Sequence, residues 1–172
     1  QQFFGQGGFP SVGMGYDGER APFYSPDARA GFFGISPHTT RAELQRAVFE
    51  GLAFAIVDAL QGYPQGGELY LTGGGAASAT WLQIIADCTG RTVVSTAFNE
   101  LSARGAAILA ARSVAALAET PPLAQTRYQP RPQAHARYAA LYPVYRLLRE
   151  QMLPVWQARQ AALQPLSQDL QP

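Results

Sequence analysis

The sequence has little cysteine, little histidine and few charged residues. Its one cysteine, Cys88, cannot form an internal disulfide, and with only two histidines it leaves too few ligands for a protein-built zinc site. A single free cysteine is typical of a reducing compartment, so we expect a cytoplasmic protein. Charged residues are only 15% of the 172, with 13 basic against 12 acidic side chains. This balance argues against nucleic acid or an anionic membrane surface as a partner, because both attract basic proteins.

Long hydrophobic runs are also missing. The longest apolar run lies around residues 52–60, is interrupted by Asp58, and is well short of the roughly 20 residues that span a bilayer. The first residues have neither a basic start nor an apolar stretch with a cleavage site, so we expect no secretory signal. Apolar residues nevertheless make up 47% of the sequence, which is enough to fill the core of one domain or of part of a larger one.

A helix is predicted after a glycine-rich start. Residues 1–36 carry many glycines and prolines, which favours irregular chain or short strands. Thr40 followed three residues later by Glu43 is a capping box, so a helix should begin at Thr40. Its apolar residues recur at helical spacing before Gly62, a typical stop, and they are Leu44, Ala47, Val48, Leu52, Ala55, Ile56, Ala59 and Leu60. We interpret Glu50 and Asp58 on this helix as a solvated face rather than an acid and base pair.

Two short strands alternate with helices over residues 37–118. Residues 68–72 and 92–95 have strand patterns, and the helix between them ends at Gly90. A third, alanine-rich helix is predicted over residues 102–118. Because each connection is a helix, the strands should be parallel, which indicates an α/β fold. Two strands are too few for an independent sheet, so either residues 1–36 or polypeptide outside this sequence should complete it.

The last third of the sequence is predicted to be less regular. Four prolines in residues 119–134 favour a semi-extended linker. A helical segment over residues 135–163 should be broken at Pro143 and kinked or stopped near Pro154, before a tail over residues 164–172. Its aromatic residues keep a helical spacing, which favours packing against the domain or a partner over ligand binding.

The candidate site is the glycine turn of Gly73, Gly74 and Gly75 together with Ser78. A triple glycine after a strand is by itself most often a plain turn, and neither a Lys-Ser/Thr pair nor a GxGxxG pattern accompanies it. The absence of Cβ atoms would let a nucleotide lie against the backbone, beside the free amides at the start of the next helix. Ser78 can either donate to adenine or ribose or cap that helix. We interpret Trp81 as a core residue rather than a stacking platform.

Several motifs resemble the FGGY carbohydrate kinases. Residues 30–35 (AGFFGI) and 43–50 (ELQRAVFE) resemble the second signature of that family. Residues 71–90, which contain the glycine turn, resemble its adenosine motif, and residues 105–110 resemble its alanine-rich helix. Within the family, residues 137–154 are most similar to the end of the xylulose kinases. Two further stretches resemble the segment before the signature: residues 18–22 (GERAP) and 26–29 (PDAR).

The resemblance covers about residues 13–156 and implies a fold and an activity. It implies part of a ribonuclease H-like α/β domain of the actin and hexokinase type, with helices on a mixed sheet and a C-terminal helical tail. It also implies an ATP-dependent kinase for a pentulose, in which Gly73, Gly74, Gly75 and Ser78 contact the nucleotide. Mg²⁺ would lie with the nucleotide phosphates.

The family's phosphate loops and catalytic Asp lie upstream of the stretch seen here. The resemblance therefore implies no catalytic residue and no metal ligand in this sequence, and it implies a missing N-terminal domain as a partner. Two alternatives stay open. One is a different FGGY kinase such as a glycerol kinase, and the other is a non-catalytic or split-chain module that assembles with a companion chain or as a homo-oligomer.

Overall fold

The computed structural model describes residues 9–11, 23–64, 66–96, 100–114 and 122–168. No helix in these ranges combines the length and the hydropathy needed to cross a membrane. The elements are β1 (Phe9–Ser11), β2 (Gly31–Phe33), α1 (Arg41–Ala59), β3 (Leu69–Leu71), a 3₁₀ turn (Gly74–Ala77), α2 (Ala79–Thr89), β4 (Val93–Thr96), α3 (Leu101–Ser113), β5 (Gln125–Tyr128) and α4 (Pro132–Gln168).

Helix α1 begins where the capping box predicts. The Thr40 hydroxyl oxygen accepts a hydrogen bond from the Glu43 amide at 3.3 Å, and the Thr40 amide donates to Glu43 Oε2 at 2.7 Å. This backbone donor lowers the pKa of Glu43, so the cap contributes stability above that carboxyl's ordinary pKa and loses it as the pH falls through the lowered value. The helix ends at Ala59, and Gly62 follows in the turn with φ at 89°.

The main sheet is mixed and has the order β3-β4-β5 in the described part of the chain. Strand β3 pairs parallel with β4, with Leu69 opposite Val93, as the helical connection through α2 predicts. Strand β5 pairs antiparallel with the other edge of β4, where Tyr128 lies opposite Val93. Strands β1 and β2 form a separate antiparallel ribbon, so they do not extend this sheet.

The linker prediction is wrong for residues 125–128, which form β5, and for residues 132–134, which begin α4. The sequence of β5 is Gln-Thr-Arg-Tyr, and its first three residues are exposed. It has no apolar alternation that would signal a strand, and it is ordered by pairing with the buried strand β4. Pro132 is the first residue of α4, a position where its missing amide costs nothing.

Helix α4 is continuous through Pro143 and Pro154, which corrects the predicted break at the first and the predicted stop at the second. Each proline deprives the carbonyl four residues earlier of its partner, and those carbonyls belong to Ala139 and Glu150. All four residues lie on the exposed face of the helix, where water can satisfy the freed carbonyls. The third helix, predicted over residues 102–118, is observed as α3 to Ser113, and residues 115–118 lie outside the described ranges.

The core lies where α1, α2 and α4 meet. Phe54 of α1 is completely buried, and its ring centroid lies 5.2 Å from that of Tyr145 and 6.0 Å from those of Tyr138 and Tyr142. The aromatic residues of α4 therefore pack against the domain, one of the two packing arrangements their spacing allowed. Phe54 itself lies outside the single apolar stripe predicted for α1, because that helix is covered by α2 and α4 from different sides.

Glu50 and Asp58 do not lie on a solvated face, which corrects the prediction for α1. Glu50 accepts hydrogen bonds from Arg46 Nε and from the Tyr138 hydroxyl, both at 2.7 Å. Asp58 accepts from the Tyr142 hydroxyl and forms an ion pair with Arg149, and its side chain is only 6% exposed. The helices α1 and α4 are thus joined by two separate polar links. The desolvation of Tyr138 raises the pKa of its hydroxyl, so it acts as a donor to Glu50 at neutral pH.

Asp87 of α2 holds the beginning of α4 and is completely buried. Its Oδ1 accepts from the Arg131 amide at 2.8 Å and from Gln83 Nε2 at 3.0 Å. Its Oδ2 accepts from Arg131 Nε at 3.0 Å and from Nη2 at 2.5 Å. The Asp87 carbonyl lies 3.0 Å from Nδ1 of His135. The side chain of Asp87 thus contacts the residue that precedes α4, and its backbone contacts the first turn of that helix. A buried carboxylate with this many donors is satisfied, but only while Arg131 is present.

We expect Arg131→Met to lower the free energy of unfolding by about 3 kcal/mol, because it leaves the Asp87 charge buried without its ionic partner. The measurement is chemical denaturation followed by circular dichroism. Arg127→Met, four residues earlier, is the matched control. Its ion pair with Glu68 is exposed, with 49% and 34% of the two side chains accessible, so its loss should cost much less than the loss of Arg131. Equal losses for the two variants would contradict a dominant role for Asp87.

Candidate functional site

The glycine turn connects β3 to α2. Gly73 has φ at 84° and ψ at −172°, a backbone conformation open mainly to glycine. Its carbonyl accepts from the Ala76 amide at 3.0 Å, which starts the 3₁₀ turn of Gly74–Ala77. The Gly75 carbonyl then accepts from the Ser78 amide at 3.3 Å, and α2 follows at once. The chain thus passes from strand to helix through a tight backbone turn with almost no side chains.

The outer side of this turn is open. A Cβ atom added at Gly73 or Gly74 would have no other atom within 4 Å. Gly74, Gly75 and Ser78 are exposed. A flat ligand could therefore approach the backbone closely, which a side chain at these positions would prevent.

Ser78 caps α2, which is one of the two roles the sequence leaves open for it. Its Oγ accepts a hydrogen bond from the Trp81 amide at 3.3 Å. The hydroxyl hydrogen is not used in this bond, so the same side chain can still donate to a ligand. The helix start adds backbone amides without intrahelical acceptors and a partial positive charge, which together favour an anionic or oxygen-rich group.

Trp81 lies against the turn and is only half-buried, unlike Ile84, Ile85 and Cys88. A Cβ built on Gly75 would lie 3.4 Å from Nε1 and 3.6 Å from Cδ1 of its indole. The core face of α2 is therefore as predicted, with Trp81 partly buried and packed against the core. Helical spacing correctly placed Trp81 on the apolar side of α2, but spacing alone could not show that the ring reaches back to the turn.

The side chains of Cys88 and His135, which could be reactive elsewhere, are held in packed positions in this structure. Cys88 is buried, and desolvation raises the pKa of its thiol, so it is a poor nucleophile. The His135 ring lies beside Gly90, where a Cβ would come within 2.6 Å of its Cε1. Gly90 has φ at 67° and ends α2, so it is needed both for this left-handed conformation and for the space that the ring occupies.

Metal binding by the protein needs a group of side-chain ligands that the described residues do not provide. Within the described ranges, no cluster of three or more His, Cys, Asp or Glu side chains is placed to hold a metal ion. The sequence contains no lysine at all. The glycine turn therefore offers a ligand its backbone, the Ser78 hydroxyl and the first amides of α2.

The layered α/β arrangement, with the glycine turn between strand and helix, is that of the actin and hexokinase type of domain. The sequence matches the C-terminal domain of the FGGY family of carbohydrate kinases over residues 6–114, and the chain belongs to this family. Strand β5 and helix α4 follow the matched region, although both pack into the same domain.

Relatives of the chain include kinases for different polyols and sugars. A xylulose kinase of Escherichia coli (strain K12) is 34% identical over 149 residues, which are 80% of this chain and 31% of that protein. A glycerol kinase of Koribacter versatilis (strain Ellin345) is 37% identical over 131 residues, 70% of this chain and 25% of that protein. The ligand-bound xylulose kinase of Lactobacillus acidophilus superposes with a TM-score of 0.71 at 25% identity, covering 79% of this chain and 30% of that one. The chain thus spans between a quarter and a third of these relatives' length.

The family motifs have different positions in the structure. The signature residues 30–35 and 43–50 form β2 and the first half of α1, including the cap and the ion pair of Arg46 with Glu50. Residues 105–110 lie in α3, none of whose residues is buried. The stretch at residues 18–22 lies outside the described residues. Among these motifs, the glycine turn is the one whose open backbone favours a bound ligand.

We expect Gly73→Ala and Gly74→Ala to differ in stability although they are neighbours. Gly73→Ala should cost about 1 to 3 kcal/mol, because alanine is strained at its positive φ. Gly74 has no positive φ and open space around it, so Gly74→Ala should stay within about 0.5 kcal/mol of the original chain. Urea denaturation of the two variants checks this difference. A large loss at Gly74 would mean that its space is structural rather than available to a ligand.

Proposed function

We propose that this chain is the nucleotide-binding C-terminal portion of an ATP-dependent sugar kinase that transfers a phosphoryl group to a pentulose, giving ADP and a pentulose 5-phosphate. The observation that carries the proposal is the open glycine turn of Gly73, Gly74 and Gly75 at the start of α2. In a chain that belongs to the FGGY carbohydrate kinases, this turn lies in the stretch that resembles the adenosine motif.

The glycine turn would receive the adenosine of ATP. Its backbone can lie against the nucleoside because no Cβ intervenes, and the Ser78 hydroxyl can donate to ribose or adenine. The α-phosphate would lie at the positive end of α2. Mg²⁺ would be carried by the nucleotide phosphates, where it neutralises the charge that develops during phosphoryl transfer. No residue described here would be its ligand.

A pentulose is the substrate that the sequence favours. Residues 137–154 resemble the end of the xylulose kinases, and the relatives include proteins named xylulose kinase. In the structure these residues form part of α4 and pack on α1. The resemblance therefore concerns the packing of the domain rather than contacts with a sugar. The relative named glycerol kinase keeps glycerol as the second candidate.

The remaining catalytic groups would come from an N-terminal domain. Helix α3 supports this, because none of its residues is buried and Leu109 is 70% exposed. An alanine-rich helix of this kind is normally covered on one face, which indicates that further polypeptide packs on it in the complete protein. The alternative of a split-chain or non-catalytic module predicts the same exposed helix, so activity measurements must separate the two. The buried free thiol of Cys88 suits the reducing cytoplasm in which we place the enzyme.

We expect the chain by itself to show no ATP-dependent phosphorylation of xylulose, ribulose or glycerol. It lacks the upstream phosphate loops and the catalytic Asp that the family resemblance assigns to the N-terminal domain. A coupled ADP-release assay with each sugar measures this. Turnover above the no-sugar background would show that the chain carries its own catalytic groups, and a complete enzyme without turnover would favour the non-catalytic module.

In a complete kinase that contains this chain, Gly74→Val should raise the KM for ATP by roughly tenfold or more, which is about 1.4 kcal/mol of binding. The valine side chain would fill the space that the nucleoside needs, while the KM for the sugar should change by less than about twofold. Thermal unfolding of the same sample controls for folding, because a structural defect would lower the melting temperature and raise the KM for both substrates. Unchanged ATP kinetics in the folded Gly74→Val enzyme would show that the nucleotide does not bind at this turn.

A further inference from the structure

We infer that Trp81 is a nucleotide-binding residue, whose indole N–H donates a hydrogen bond to an oxygen of the ribose or α-phosphate held at the glycine turn. This inference rests on the proposed function and adds a specific donor to it. Trp81 follows Ser78 by three residues and begins the first turn of α2.

The position of the indole is fixed from two sides. Its ring centroid lies 5.5 Å from that of Phe49 on α1, with the planes tilted by 44°. On the other side its Nε1 and Cδ1 atoms face Gly75, at 3.4 Å and 3.6 Å from the place of a Cβ there. Because Nε1 is the nearer of the two atoms, the edge of the ring that carries the N–H faces the turn.

The indole N–H has no acceptor of its own. No residue in the described part of the chain accepts a hydrogen bond from it, while the backbone amide of Trp81 is already bonded to Ser78. Among the described residues, the buried side-chain polar atoms without a hydrogen bond do not include this Nε1. The unbonded N–H is therefore accessible to solvent. An accessible N–H can bond to water or to a ligand, and the edge that carries it faces Gly75 of the turn.

The chemistry of the turn selects an acceptor-rich ligand. The Ser78 hydroxyl, the first amides of α2 and the Trp81 N–H are all donors that lie within one turn of helix. An indole N–H is a donor only, so it can bond to phosphate or ribose oxygens and cannot bond to a second donor group. Donors collected around a turn without side chains therefore suit the sugar and phosphate part of a nucleotide better than the amino edge of its base.

The test is the affinity of the complete kinase for ADP and for adenosine, measured by calorimetry on Trp81→Phe. Phenylalanine keeps an aromatic ring at this position but is smaller and has no N–H, so the Kd for ADP should rise by about three- to tenfold. The KM for ATP should rise by a similar factor, with the KM for the sugar and kcat within about twofold. A purely structural role would lower the melting temperature without this selective change. Trp156→Phe is the matched control, because Trp156 is a buried residue of α4 and should leave ADP affinity unchanged.

The two ligands locate the acceptor. A weaker affinity for both ADP and adenosine assigns the acceptor to the ribose, and a loss for ADP alone assigns it to the phosphate. If Trp81→Phe folds and binds both ligands like the original enzyme while Gly74→Val still weakens ATP, the nucleotide lies at the turn but Trp81 does not bond to it, and the inference is overturned.

A second pair of variants covers the case in which Trp81→Phe does not fold. Trp81→His and Trp81→Ala both lose most of the packing, but histidine returns a ring N–H. We expect the histidine variant to bind ADP at least about threefold more tightly than the alanine variant. Equal affinities for the two would also overturn the inference.

Discussion

The buried carboxylate of Asp87 is the interaction on which the arrangement of this domain depends. It lies in α2 with no solvent access, and it is satisfied only because Arg131 brings both its amide and its guanidinium to it. Removing a charge from water costs several kcal/mol, so the folded state is favourable only when the chain between β5 and α4 is in place. One side chain thus ties the helix that carries the glycine turn to a segment that lies 44 positions further along the chain.

Helix α4 is therefore an integral part of the domain rather than an appended tail. It meets α1 at two polar links, Tyr138 with Glu50 and Arg149 with Asp58, and its aromatic rings surround Phe54 between them. A buried polar group destabilises the fold if its partner is missing. These pairs therefore favour the one arrangement of the three helices in which both partners meet. The same contacts stabilise the sheet, because β5 pairs with the edge of β4 and leads directly into α4.

The glycine turn takes no part in these links, and this separation suits a binding function. Its outer side touches no other part of the described chain at Gly73 and Gly74, and its inner side rests on the Trp81 ring. A binding loop that is held by a rigid helix and leaves its own surface free can meet a ligand without reorganising the core.

The sequence by itself determined the elements whose signals are local: the Thr40 cap, the Gly90 stop, the strands β3 and β4, and the glycine turn. Each depends on residues within a few positions of one another, so propensity and spacing are sufficient to predict them. The FGGY motifs likewise gave the family before any contact was known. Only the tertiary structure decided that the polar stretch of Gln125–Tyr128 is a strand, that α4 continues through Pro143 and Pro154, and that Glu50 and Asp58 are bonded to α4. These features depend on partners distant in the sequence, whose pairing and desolvation outweigh the local preference of the residues involved.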